Sequence, residues 1–152
     1  MMIKFIRTTS IFIIGAVVYP ILEILFRGYS HWSMSIAGGL SFLAIYSINR
    51  WFRHSSLGIR CALGALSITA IEFGIGCFVN LYLHLDVWNY SHIPLHLLGQ
   101  ICLPFTALWF VLCIPALKLS TLLDRLFLSI QTQIQQKLHP SASSESHTET
   151  AA

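Results

Sequence analysis

Four long apolar segments occupy most of this 152-residue chain and constrain its fold more than any other feature. They cover residues 9–26, 34–48, 60–83 and 97–119, and their lengths are near the roughly 20 residues with which a helix crosses a bilayer core. Charged residues make up only 10% of the chain, against roughly 25% in soluble domains. The sequence therefore predicts an all-α integral membrane protein in a lipid bilayer, with a four-helix transmembrane bundle of two hairpins over residues 1–119.

Lysine and arginine are distributed very unevenly around these segments. Eight of the nine basic residues share one side: Lys4, Arg7, Arg50, Arg53, Arg60, Lys118, Arg125 and Lys137. Arg27 alone lies on the other side. Because cytoplasmic flanks of membrane helices are enriched in Lys and Arg, both termini are predicted to be cytoplasmic.

Two of the six acidic residues lie inside the apolar segments. Glu23 lies near the predicted outer end of the first segment, four residues before Arg27. That spacing brings two side chains together on one helix face, so an ion pair at the membrane boundary is expected. Glu72 lies about twelve residues into the third segment, roughly 18 Å along the helix and slightly past the predicted midplane. An acidic side chain at that depth is expected to face protein or water and not lipid.

Small and polar residues recur around Glu72 at helical spacing. Thr69, Glu72, Gly76 and Asn80 follow one another at intervals of three or four residues. Such a row of small and polar residues lets helices approach closely. Gln100 adds a polar group near the predicted outer end of the fourth segment. Two interpretations stay open for Glu72, Asn80 and Gln100: a buried hydrogen-bond network that stabilises the fold, or a transport or ligand site.

The tripeptide Tyr-Ser-His occurs twice, at residues 29–31 and 90–92, each time before an apolar segment. In both copies a glycine follows nine positions after the tyrosine, Gly38 and Gly99. Both copies lie in polar breaks on the predicted outer side, which indicates two hairpins inserted in parallel. The second copy belongs to a predicted outer loop that contains Trp88, Asn89, Tyr90 and Ser91.

Motifs for catalysis and for cofactor or metal binding are absent from the sequence. It has no Walker motif, no G-x-S-x-G and no HExxH, so neither an enzyme nor a cofactor is expected. His92 and His96 are four residues apart, but Pro94 interrupts the helix that would align them, and no metal site is predicted. Three other candidate ligands share the predicted outer face: His31, His84 and Asp86. The formal charge of +3 comes from scattered flanking residues, so nucleic acid is not expected as a partner.

The composition changes after Leu119. Ser120 is expected to cap a separate cytoplasmic amphipathic helix over residues 120–138, where leucine, isoleucine and phenylalanine recur at three- to four-residue spacing. This helix is too polar to span the bilayer, so it is expected to lie on the membrane surface or to dock to a partner. Residues 139–152 are rich in Ser, Thr, Ala and Glu and are predicted to be disordered.

Several separated blocks of the sequence match one known protein family in order. They are residues 23–34, 37–40, 68–74 and 87–103. Through these blocks the chain resembles the "putative ABC-transporter type IV" (CmpB-like) family of bacterial membrane proteins. The chain departs from the family pattern at Phe26, Asn89 and His96, where the family commonly has Trp, Asp and Asn.

The resemblance implies a permease subunit in a bacterial inner membrane, with an unknown substrate. Because the chain has no nucleotide-binding motif, an ATP-driven role requires a separate ATPase subunit. Four spans are few for a complete transport path, so such a role also predicts self-association into a homo-oligomer. The alternative interpretation is a non-transporting scaffold or regulator that binds another membrane protein.

Overall fold

The computed structural model describes residues 2–138, and residues 139–152, for which disorder is predicted, lie outside the described part. Its elements are α1 (Met2–Arg27), α2 (Trp32–Trp51), α3 (Leu57–Gly76), a π-helical turn (Cys77–Tyr82), β1 (His96–Leu97), β2 (Ile101–Cys102) and α4 (Leu103–Leu138). The two short strands form an antiparallel pair in which His96 faces Cys102. The described chain is therefore helical apart from its connections and this small hairpin.

Three of the helices are long and apolar enough to cross a membrane. The qualifying segments are Lys4–Arg27, Leu57–Tyr82 and Leu103–Gln136. α2 is 20 residues long, but serines and glycines reduce its hydropathy, and half of its residues are buried against the other helices. Three helices thus have the length and apolar composition of membrane spans, while the crossing by α2 stays a prediction.

Two expected boundaries differ from the structure. α4 begins at Leu103 and runs without interruption to Leu138, so residues 97–102 belong to the loop and Ser120 does not cap a separate helix. Ser120 is fully buried inside α4, where its hydroxyl accepts a hydrogen bond from the Asn49 amide at 3.2 Å. The capping prediction was wrong because a serine can cap a helix or pack inside one, and only a neighbouring helix decides which.

α2 lies at the centre of the bundle and contacts α1, α3 and α4. Its approach to α1 depends on glycine. A Cβ atom on Gly38 would collide with the Tyr19 side chain and with the Gly15 carbonyl oxygen, and a Cβ atom on Gly15 would collide with the Gly38 carbonyl oxygen. The next residue, Gly39, lies against the Phe12 ring of α1. α1 and α2 therefore pack at backbone distance, as small residues permit in membrane helices.

A set of polar contacts joins α1, α2 and α4 at the end of the bundle where the chain begins. Asp124 of α4 accepts hydrogen bonds from the Tyr46 hydroxyl at 2.5 Å and from the Arg50 guanidinium at 3.1 Å, both on α2. Arg7 of α1 lies 3.9 Å from the same carboxylate oxygen. Asn49 donates to Thr121 at 2.9 Å. These contacts hold the middle of α4 against α1 and α2.

Replacing Gly38 by alanine is expected to destabilise the bundle by about 1–3 kcal/mol. The added methyl group would collide with the Gly15 carbonyl oxygen and the Cβ atom of Tyr19, neither of which can move aside. The matched control is Gly74→Ala, another helical glycine, where an added Cβ meets nothing within 4 Å. The free energy of unfolding of each purified variant, measured by SDS titration, tests this difference. Equal stability of the two variants would contradict close packing of α1 on α2.

Candidate functional site: a buried carboxylate and the loop above it

Glu72 lies inside the bundle on α3, where only 5% of the residue is exposed. One carboxylate oxygen accepts a hydrogen bond from the Tyr19 hydroxyl of α1. The other accepts from the indole N–H of Trp109, on α4, at 2.8 Å. The Glu72 side chain thus connects three helices. As expected from the sequence, it faces protein, where two residues donate hydrogen bonds to it.

The Tyr19 and Trp109 rings also pack against each other, and Tyr19 contacts α2. The Tyr19 and Trp109 rings are 5.4 Å apart between centroids and tilted by 32°. The Cβ of Tyr19 lies over Gly38 of α2. Thr69 lies on α3 about one turn before Glu72. Its hydroxyl donates to the hydroxyl of Thr106, on α4, at 3.1 Å. The Glu72 site is therefore a four-helix junction with a carboxylate at its centre.

Neither hydrogen-bond donor to Glu72 carries a charge. Within residues 2–138, the ion pairs involve Asp124 and Glu23 but not Glu72. A carboxyl group in a membrane interior is costly to keep, and such groups often mark a functional site. The arrangement can hold or release a proton, or bind a polar group, if one of the two aromatic donors moves away.

Asn80 and Gln100 form a second polar set nearer the end of α3. The Asn80 amide donates to the Gln100 side-chain oxygen at 2.7 Å and to the Trp88 carbonyl at 3.0 Å. Its oxygen accepts from the Val87 N–H at 2.7 Å. The Trp88 indole N–H donates to the Gln100 carbonyl at 2.9 Å. All four residues are buried, so this set fastens the loop onto the π-helical turn that carries Asn80.

Gly76 makes this attachment possible. A Cβ atom at that position would lie 2.7 Å from the Gln100 side-chain oxygen and 2.9 Å from the Trp88 ring. The loop can therefore approach the α3 backbone directly between Glu72 and Asn80. The π-helical turn ends α3 at this point, and π-helical geometry is frequent at functional sites.

The hydrogen bonds divide the predicted polar patch into two sets. The hydrogen bonds of Glu72 go to Tyr19 and Trp109, whereas Asn80 and Gln100 bond to each other. Apolar side chains separate the sets: a buried cluster consists of Met34, Val79, Val87 and Trp88, with Tyr19, Ile75 and Tyr90 packed against it. Residues 87–90 thus cover the bundle beside Glu72 and close it from the loop side.

The rest of the predicted outer loop is more exposed and has an unusual backbone. Asn89 is exposed, and its side-chain oxygen accepts from the Ser91 N–H at 2.9 Å. The Tyr90 ring stacks on Phe105 at 4.7 Å, and burial raises the pKa of its phenol above the ordinary value. Four residues with side chains adopt positive φ angles: His84, Asp86, Leu95 and Leu98. Such backbone costs of order 1–3 kcal/mol per residue and persists where surrounding contacts enforce it.

Glu23 and Arg27 contact each other at the end of α1. Arg27 donates to one oxygen of Glu23, and the Ser30 hydroxyl donates to the other. The guanidinium also lies 5.0 Å from the centre of the Tyr29 ring. The first Tyr-Ser-His copy therefore surrounds an ion pair, whereas the second copy belongs to the loop that covers Glu72, so the two copies have different surroundings.

The candidate metal ligands do not converge in the part of the chain that the structure describes. Residues 2–138 contain no group of three or more His, Cys, Asp or Glu side chains placed to hold a metal ion. His31 instead precedes α2, where its ring nitrogen accepts from the Ser33 N–H at 3.4 Å. His96 accepts from the Gly99 N–H at 3.2 Å. These two histidines thus stabilise local turns.

Comparison with protein families gives one match. The profile of the family described as "Putative ABC-transporter type IV" matches residues 2–142. This chain belongs to that family. The match includes all four helices and the loop between α3 and α4, so the blocks that carry the resemblance lie in one continuous family domain. Searches of curated proteins and of solved structures found no significant match.

Sequence reasoning missed the two donors to Glu72. Tyr19 and Trp109 were not distinguished from ordinary aromatic residues of a membrane helix. Their common property is a hydrogen-bond donor on a largely apolar ring, which a buried acid requires. The depth of Tyr19 and Trp109 along their helices, compared with that of Glu72, is the signal that could have identified them. This comparison becomes useful only when it is known which helices pack together.

Replacing Asn80 by alanine is expected to release the loop from the π-helical turn, because three groups of the loop lose their partner at once. The amide hydrogen of Val87 should exchange with solvent roughly tenfold faster, since an unmade buried hydrogen bond costs about 1–3 kcal/mol. Hydrogen–deuterium exchange of the purified protein measures this. Asn89→Ala is the matched control, because it removes one exposed turn contact. Unchanged exchange in Asn80→Ala would contradict the fastening role.

Proposed function

We propose that this protein is the membrane-spanning, permease-type subunit of a transporter of the ABC class, and that Glu72 is its central functional group. The observation that carries the proposal is the position of Glu72: a carboxyl group buried among the helices, held by Tyr19 and Trp109 and not by a charged partner. A structural hydrogen bond between helices does not require an acid, because an amide or a hydroxyl serves as well. An acid supplies in addition a charge that can be gained or lost.

The surroundings of Glu72 support a site with access controlled by the loop. Residues 87–90 close the bundle on one side of the carboxyl group, and Asn80 holds them there through hydrogen bonds. Breaking those hydrogen bonds would leave residues 87–90 held by side-chain packing alone, without breaking a contact between the four helices. Trp88, Asn89, Tyr90 and Ser91 are thus proposed as a movable cover and not as ligands in their own right.

Two further features fit a subunit that works with others. The sequence has no nucleotide-binding motif, so energy from ATP has to come from a separate ATPase subunit. Residues 2–138 contain four long helices, and their polar groups near Glu72 are already paired with each other. A continuous path across the membrane would therefore form between copies of the chain or with another membrane protein.

Replacing Glu72 by glutamine tests whether charge is needed. A glutamine can accept from Trp109 and donate to the Tyr19 oxygen, so both contacts and the fold should be kept. Leucine at this position loses both. We expect either change to reduce at least tenfold the ATP hydrolysis that this chain stimulates in its proposed ATPase subunit, measured after the two proteins are reconstituted together. Glu23→Gln, at the end of the same bundle, is the matched control.

The outcomes separate function from structure. If Glu72→Gln stimulates ATP hydrolysis normally while Glu72→Leu unfolds, Glu72 is a structural residue only. If both variants assemble and stimulate normally, the proposed role of this site is wrong.

A second candidate function is a scaffold or regulator that binds another membrane protein. α4 has 36 residues, a length of roughly 54 Å against a bilayer core of roughly 30 Å, so its last part extends beyond the membrane. Phe127 is the last residue of α4 that packs against the buried clusters. After it, no residue up to Gln136 is buried. Ile130 and Ile134, four residues apart on one face of the helix, form an exposed apolar row at 53% and 44%, whereas Leu128, 52% exposed, lies on the opposite face. An exposed apolar row on a projecting helix favours docking to a partner.

Removing residues 128–152 is expected to abolish recovery of that partner in co-purification, because the exposed row of α4 is lost while every packed residue stays. Removal of residues 139–152 alone is the control and should leave recovery unchanged. Equal recovery with both truncated proteins would exclude the projecting helix as the docking element.

A further inference from the structure

A short hairpin of residues 95–103, the leucine hairpin, exposes most of its apolar side chains. β1 and β2 are its two arms, and residues 98–100 form the turn between them. Leu95, Leu97 and Leu98 are 73%, 53% and 60% exposed. Leu95 and Leu98 also have positive φ angles of 58° and 51°, which residues with a Cβ atom rarely adopt. Packing within residues 2–138 therefore leaves these three leucines uncovered.

The leucine hairpin is held by hydrogen bonds of its backbone and not by its leucine side chains. The Leu95 carbonyl accepts from the Leu103 N–H at 3.2 Å. The Leu97 and Leu98 carbonyls both accept from Gln100, from its backbone N–H at 3.0 Å and from its side-chain amide at 3.0 Å. Non-helical chain is tolerated next to hydrocarbon only when its polar groups are paired within the protein. The hairpin meets that requirement at these three carbonyls.

Contacts with α3 place the leucine hairpin at the depth of the bilayer. Gln100 lies against Gly76, where an added Cβ atom would be 2.7 Å from the Gln100 side-chain oxygen. Gly76 follows Arg60, the only basic residue of α3, by sixteen residues, which is roughly 24 Å along the helix axis. That length is shorter than a bilayer core of roughly 30 Å. The hairpin thus lies beside the last part of the α3 span and not beyond it.

The exposed leucines are continuous with an apolar face of α4. The first turns of that helix expose a row of residues at helical spacing: Leu103, Ala107, Phe110 and Val111. Because α4 has the length and composition of a membrane span, such a face is expected to meet lipid. Between Asp86 and Lys118 the sequence contains no Asp, Glu, Lys or Arg. No charge therefore separates the leucine hairpin from the lipid-facing surface of α4.

We propose that the leucine hairpin inserts its side chains among the lipid acyl chains of one leaflet, at the end of the bundle where α1 ends. The partner of this surface is the hydrocarbon of the bilayer, and not a second copy of the chain or another protein. Asn80 bonds both to Gln100 and to the segment that covers Glu72, so insertion ties that cover to the bilayer. The insertion itself does not depend on a transport role of Glu72.

Electron paramagnetic resonance of the full-length protein in phosphatidylcholine nanodiscs tests the depth of the leucine hairpin. A nitroxide is attached through a ketone-bearing amino acid in place of Leu98, so that the native cysteines stay unmodified. Oxygen and a polar nickel chelate relax the label from hydrocarbon and from water, respectively. We expect high oxygen accessibility, as at a Val111 label, and roughly tenfold lower nickel accessibility than at an Asp86 label, because hydrocarbon excludes a polar complex.

Two results of this measurement would overturn the proposal. Nickel accessibility equal to that of the Asp86 label would place the leucine hairpin in water. Low accessibility to both relaxants would show that a second copy of the chain or another protein covers it.

Replacing two leucines together, Leu95→Ser with Leu98→Ser, tests whether lipid stabilises the leucine hairpin. Both side chains are exposed, so the helices should stay folded. The Tyr90 N–H donates to the Gly99 carbonyl at 2.7 Å, and its hydrogen–deuterium exchange in nanodiscs should become roughly tenfold faster once the apolar anchor is lost. Leu66→Ser, at a 60% exposed position of α3, is the matched control and should leave this exchange unchanged. Equal exchange in the double variant and the control would refute lipid anchoring.

Discussion

The rest of the bundle depends on the need to satisfy the Glu72 carboxyl group away from water. An unsatisfied carboxyl group in the membrane interior costs several kcal/mol, so its two oxygens require donors on other helices. Tyr19 and Trp109 provide them, and each donor sits on a ring that also packs. The Tyr19 ring lies over Gly38 and beside Trp109, so one acid fixes the relative positions of all four helices.

A second constraint acts at the loop. The backbone of residues 83–102 has little regular structure of its own, and buried backbone groups have to find partners. Asn80 supplies them for the Val87 N–H and the Trp88 carbonyl, while the Gln100 carbonyl accepts from the Trp88 indole. The glycine at position 76 allows the loop to reach α3, and the π-helical turn directs Asn80 into it. These hydrogen bonds act together with the buried Val87 and Trp88 side chains and the Tyr90–Phe105 stack to hold the loop on the bundle.

The two ends of the bundle are stabilised differently. Near Glu23 and Arg27 an ion pair within α1 is joined by Ser30, so the contact is local in sequence. At the opposite end Asp124 joins α4 to Tyr46 and Arg50 of α2, across more than 70 residues. Exposed ion pairs contribute little individually, but the Asp124 set decides where α4 leaves the bundle. It thereby sets the direction of the projecting segment proposed to dock a partner.

The sequence by itself determined the apolar, helical character of the chain and the position of Glu72 against protein, because hydropathy, length and a lone acid in an apolar run are local properties of a chain. It also determined the contact of Glu23 with Arg27, since four-residue spacing on one helix is enough. It did not determine the donors to Glu72 or the separation of Asn80 and Gln100 from that acid. Each of these depends on which faces of distant helices meet. Ser120 shows the same limit: its residue type favours a helix start, but burial against Asn49 of α2 makes it part of a continuous α4. Only tertiary packing decides such cases, because the energy comes from partners that are far away in the chain.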